Sequence, residues 1–162
     1  MQLALQERHK NKLRLWIRVA MVFIAAVLLL FAVGIPIVNN AIALGVENDL
    51  KSIPLPEKTE LVESTSKAGK LVGSGNGMQY FGAILIKSDL LPEELDAYYQ
   101  TYRVGAFDCL IAGQLSNEIL VVEHGDLAFR HNEYDVGYYI VYSWGSAPDW
   151  LQDWLDTDLR GH

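Results

Sequence analysis

From Val19 to Val38 the chain runs for twenty residues without a charge. At about 1.5 Å of rise per residue, a helix over this run is roughly 30 Å long, the thickness of a bilayer's hydrocarbon core. A buried helix of a soluble core is rarely so long and unbroken. A cleaved signal peptide is the main rival, because Ala41-Ile42-Ala43 has the small-x-small pattern of a cleavage site. Signal peptides, however, carry apolar regions of only about 7–15 residues. The length therefore favours an uncleaved transmembrane helix over 19–38. Trp16 stands where an interfacial aromatic is expected, and Arg18 can snorkel back to the headgroups. Pro36 falls near the far end, where a lost backbone bond does least harm.

Charge divides the chain at the same place. Five basic residues (Arg8, Lys10, Lys12, Arg14 and Arg18) and one acidic residue, Glu7, precede position 19, which leaves the tail at +4. The remaining 8 basic and 19 acidic residues carry −11. By the positive-inside rule residues 1–18 form a cytoplasmic tail, and everything past the helix is extracytoplasmic. So acidic a domain is a poor partner for nucleic acid, whose affinity comes from phosphates neutralised by Lys and Arg. A basic peptide or a divalent cation suits it better, and solubility alone also accounts for the charge. The single cysteine, Cys109, allows no intrachain disulfide and sits in an apolar run that reads as core.

Segment 39–56 reads as a stalk or linker: Ile42, Val46, Leu50 and Ile53 recur at helical spacing until Pro54-Leu55-Pro56. Residues 57–162 read as one α+β domain, an antiparallel sheet covered on one face by two helices. Strands are expected over Thr59–Ser66, Lys70–Val72 and Met78–Lys87, with Asn76-Gly77 as a hairpin turn. Asp89 or Ser88 caps a helix that begins near Pro92, with Leu91, Leu95, Tyr98, Tyr99 and Tyr102 as its buried stripe. A second hairpin is expected from Ile119–Glu123 and Leu127–His131. A strand over Tyr134–Trp144 follows, with Tyr134, Val136, Tyr138, Ile140, Tyr142 and Trp144 on its core face. Pro148 then leads a last helix with Trp150, Leu151, Trp154 and Leu155 turned inward. At an offset of 56, Asn76 falls on Asn132, Ile84 on Ile140, Pro92 on Pro148, Leu95 on Leu151 and Tyr98 on Trp154, a hint of two repeated β-then-α units.

Chemistry-bearing motifs are sparse. The glycines at 73–77 precede a strand, whereas a phosphate loop must open a helix. His124 and His131, with Asp126 and Glu133 nearby, suggest a small hydrolase or metal site. In the expected hairpin, however, their rings stand roughly 13 Å apart, beyond the reach of one ion. Asp149, Asp153 and Asp156 line one stripe of the last helix, which reads as a solvated face or a surface for a basic partner. Tyr80, Tyr138 and Tyr139 are candidates to line a groove for glycan or peptide. No residue set is assigned as catalytic, cofactor-binding or metal-ligating, and no cofactor is implied.

Leu55-Pro56 through Ser66, Ala68-Gly69-Lys70-Leu71-Val72-Gly73 and the run Gly75-Asn76-Gly77-Met78-Gln79-Tyr80-Phe81-Gly82-Ala83-Ile84-Leu85-Ile86 carry a resemblance. They resemble small single-pass membrane-anchored proteins of Gram-positive gut bacteria, a group without an assigned activity. The resemblance implies a cell-membrane location and supplies no site residues. Two functions are expected to compete. One is a tethered binding or accessory module, held in the bilayer by residues 19–38 and facing an envelope component or membrane protein. The other is a small anchored enzyme using His124 or His131.

Overall fold

The computed structural model describes residues 2–75 and 77–158, with the backbone alone for 2–11. It divides into two compact units, Met1–Ile35 and Pro36–His162. One α-helix, α1 (Gln2–Ser52), passes through both and takes in the basic segment, the apolar run and most of segment 39–56. Within the second unit α1 buries Asn39, Ala43, Val46, Glu47 and Leu50 at spacings of three and four, one stripe of a helix. Segment 39–56 is therefore not a free stalk. Its stripe needs cover, and the sheet supplies it.

The strands are β1 (Thr59–Gly69), β2 (Gln79–Ser88), β5 (Leu110–Gly113) and β6 (Tyr138–Gly145), in the sheet order β1-β2-β6-β5. Every neighbouring pair is antiparallel. Between β2 and β5 lie α2 (Pro92–Tyr99) and a small separate ladder of β3 (Arg103–Val104) with β4 (Phe107–Asp108); α3 (Asp149–Leu155) follows β6. The unit is α+β, as the alternation of patterns implies.

Side chains alternate across the sheet, so each strand feeds two cores. One face carries Tyr80, Gly82, Ile84 and Ile86 of β2, opposite Gly145, Ser143, Val141 and Tyr139 of β6. Here α1 lies so close that a Cβ on Gly82 would stand 2.5 Å from the Glu47 backbone nitrogen. The other face carries Phe81, Ala83 and Leu85 with Ile140, closed by Leu71, Ile119 and Phe129 into a buried cluster. No helix covers this second face among the described residues. The connection 114–137 does, and its half-buried Val121, Val122, Leu127 and Tyr134 pack on the cluster.

Several expectations change in register. β1 joins β2 through the connection 70–78, not a two-residue turn, because Gly69 already pairs with Gln79. Lys70–Val72 is not a strand: Gln79 Oε1 accepts from the Leu71 and Val72 N–H groups, both at 2.8 Å, and bends the chain there. Asn76, in the expected turn and in the expected repeat, lies outside the described residues. The second hairpin is reduced to one bridge, Glu118 with Ala128, and neither expected strand forms. Its turn survives, with positive φ at Gly125 (97°) and Asp126 (45°). The next strand begins at Tyr138, not Tyr134, after Gly137 at φ 102°, and Val136 is 94% exposed.

At α2 the N-cap is Leu91, exposed and not in the buried stripe, and Glu94 Oε2 accepts from its N–H at 2.9 Å. Only Leu95 and Tyr99 of α2 are buried. Ser88 Oγ accepts instead from the Leu90 N–H at 3.2 Å. The topology does consist of two hairpin-then-helix units, β1-β2-α2 and β5-β6-α3, with β2 and β6 paired at the centre. The offset of 56 is not their structural correspondence, since Ile84 pairs with Val141 and Ile140 with Leu85, on opposite faces.

Candidate functional site

The three tyrosines expected to share a groove are dispersed by strand geometry. Tyr80 is buried at 1% exposure, and its hydroxyl donates to Asn39 Oδ1 at 2.9 Å. Burial and the nearby Asp156 and Asp158 push that phenol up to about 12. Tyr80 thus holds the core and offers no binding surface. Tyr138 and Tyr139 are consecutive in β6 and point to opposite faces. Tyr138 packs against the His131 and Tyr134 rings, with Lys87 Nζ 4.8 Å from its centroid. Tyr139 lines an open groove with Pro92, Asp96 and Ile111.

The aspartate stripe also divides. Asp149 and Asp153 are exposed. Asp156 is half-buried, and its Oδ1 accepts from the Met78 N–H at 2.8 Å and from Gln152 Nε2 at 2.9 Å. It fastens the connection 70–78 to α3.

Each of the two histidines has a backbone carbonyl beside its Nε2. His124 Nε2 lies 3.0 Å from the Gly73 carbonyl and 4.0 Å from Glu123 Oε2, which accepts from the Gly73 N–H. His131 Nε2 meets the Glu133 carbonyl, and its ring packs edge-on against Tyr134 and at a tilt against Tyr138. The His124 ring thus meets the connection 70–78 and the His131 ring its own turn; among the described residues no hydrogen bond joins the Asp126 or Glu133 carboxylate to either ring. Among the described residues no three His, Cys, Asp or Glu side chains stand together as a ligand set. Cys109 is buried, and burial together with Asp108 pushes its thiol above the ordinary value.

Two polar residues in the α1 stripe join helix to sheet, and sequence reading passed over both. Glu47 accepts from Ser64 Oγ at 2.6 Å, Ser66 Oγ at 2.7 Å and Lys51 Nζ at 3.2 Å. Asn39 Nδ2 donates to the Leu155 carbonyl at 3.1 Å and to Asp158 Oδ2 at 2.9 Å. The available signal was a polar residue at a buried helical position, because a buried polar group needs a partner.

Outside this packing, α1 displays apolar side chains to its surroundings. Val22, Phe23, Leu28, Leu29 and Leu30 are all exposed. The stretch Lys12–Ser52 contains an 18-residue window of mean hydropathy 2.9, none of it buried. In water such a surface is unfavourable by about 25 cal/mol for every Å². A contiguous patch of this kind marks a membrane or protein contact.

Fold and surface together define an α+β protein with one N-terminal helix long and apolar enough to cross a membrane. Comparison with protein-family models, curated proteins and solved structures finds no match.

Proposed function

We propose that this chain is a membrane-tethered, extracytoplasmic binding or accessory module of a bacterial cell membrane, single-pass through residues 19–38. The observation that carries this reading is the uncovered apolar surface of α1 in a chain whose remainder is folded and acidic. The basic cluster before residue 19 favours a cytoplasmic N-terminus. Retention of the helix is favoured by Asn39: a cut after Ala43 would discard a side chain tied to Tyr80, Leu155 and Asp158. The partners are the bilayer and, through the outer unit, an envelope component or membrane protein. Its charge of −11 past residue 18 speaks against nucleic acid.

Fractionation and surface labelling test this. Full-length protein is expected in the membrane pellet after a carbonate wash. A Leu115→Cys variant, at a position 85% exposed, is expected to react on intact cells with an impermeant maleimide. Recovery in the supernatant, or labelling only after lysis, would overturn the reading. Crosslinking through the same cysteine is then expected to recover an envelope polymer or a membrane protein.

A further inference from the structure

Helix α3 carries two tryptophans that sequence periodicity assigns to the core, and the fold leaves both outside. Trp150 is 77% exposed and Trp154 58% exposed, while Leu155 turns inward. Four residues apart, the two rings share one face of the helix.

The place where α3 is fastened bears on what surrounds them. Its last turn is bound to Asn39, which donates to the Leu155 carbonyl at 3.1 Å and to Asp158 Oδ2 at 2.9 Å. Asn39 is buried and rigidly held, since its Oδ1 also accepts from Tyr80. In sequence it follows Val38, the last residue of the uncharged run. Ile37 and Val38, in the same compact unit, are themselves 61% and 40% exposed. The end of α3 is therefore pinned at the level where the apolar run stops. In a single-pass protein that level is the headgroup region, where tryptophan is enriched because its ring is apolar and its N–H seeks a polar partner. Exposed Asp149 and Asp153 on the same helix oppose hydrocarbon depth and suit a shallow seat.

We infer that α3 is an interfacial membrane contact, with Trp150 and Trp154 in the headgroup–acyl boundary beside the point where α1 leaves the bilayer. This rests on the membrane-tethered reading above. A helix of this length has little affinity for a bilayer by itself. Tethering by α1 raises its effective concentration at the surface and makes a two-ring contact sufficient.

Fluorescence quenching tests the contact on the full chain reconstituted in phosphatidylcholine vesicles brominated either near the headgroup or near the bilayer centre. In W16F, which lacks the tail tryptophan, shallow bromines are expected to quench and deep bromines to quench little. W16F/W150F/W154F is expected to lose the shallow quenching, leaving only the half-buried Trp144. Quenching in the parent that disappears in W16F alone would overturn the α3 contact and leave the anchor standing. No quenching in any of the proteins would remove the anchor and the contact together. An unquenched W16F whose Trp150 and Trp154 are shielded from oxidation in cells would replace the lipid with a protein partner. The shallow-versus-deep comparison in W16F needs no substitution in α3, so it holds even if the triple variant folds poorly.

Discussion

Glu47 shows how one buried carboxylate is made favourable. Burial pushes its carboxyl up, but hydrogen bonds from Ser64, Ser66 and Lys51, with the charge of Lys51, together outweigh burial and hold it below the ordinary 4.5. A pKa lowered by folding means that the ionised form stabilises the fold. The contribution is complete above the unfolded value and is lost as pH falls through the folded one. Glu47→Gln is expected to lower stability at neutral pH by about 1–3 kcal/mol, the scale of a buried group left badly paired. It should also flatten the loss of stability that the parent shows in acid below pH 4.5. Urea titrations of both proteins across that range measure the two effects. Asn39→Ala removes an acceptor for Tyr80 and donors to Leu155 and Asp158. It is expected to destabilise by about 2–4 kcal/mol, because the two hydrogen bonds to Leu155 and Asp158 are lost and the buried Tyr80 hydroxyl, left without its acceptor, costs roughly 1–3 kcal/mol. Thermal melts check it, with loosening of α3 read from proteolysis past residue 145.

Elements meet where side chains are absent. Gly82 faces α1 so closely that a Cβ would lie 2.5 Å from the Glu47 nitrogen and 2.8 Å from the Val46 carbonyl carbon. These are backbone atoms and cannot rotate away. Gly82→Ala is expected to lose about 3 kcal/mol, at the upper end of overpacking effects, through displacement of the helix. Gly113→Ala, with nothing within 4 Å of its added carbon, is expected to stay within about 0.5 kcal/mol of the parent. Chemical denaturation of the pair separates seating of the helix from the general effect of adding a methyl. β1 shows the same dependence on the third dimension. A register shift between Leu61 and Glu63 turns Ser64 and Ser66 toward Glu47. It also turns Glu63 to the opposite face, where its carboxylate accepts from the Arg130 and His131 N–H groups. One extra residue in a strand reverses every later side chain, and no propensity announces it.

For the whole molecule, the compact unit that holds the sheet begins at residue 36, whereas the sequence pattern alone suggests a domain from residue 57. A chain starting at Pro36 is expected to be soluble and to melt cooperatively, since it keeps Asn39, Ala43, Val46, Glu47 and Leu50. A chain starting at Glu57 is expected to aggregate, with the sheet face around Ile84 and Val141 stripped of its helix. Expression of both and circular dichroism melts decide between the boundaries.

The apolar run, its basic flank, the alternation in β2 and β6 and the proline-led helices were legible because each is a local pattern of period or charge. The sequence by itself determined the α+β class and a long apolar N-terminal helix. Only the tertiary structure decided that α1 continues into the core, that the connection 114–137 closes the second face, and that Trp150 and Trp154 stand outside while Tyr80 is buried. Periodicity names the face of an element that is apolar. Which neighbour covers that face depends on contacts between residues distant in the chain, such as Asn39 with Leu155 and Glu47 with Ser64, and those are set by packing alone.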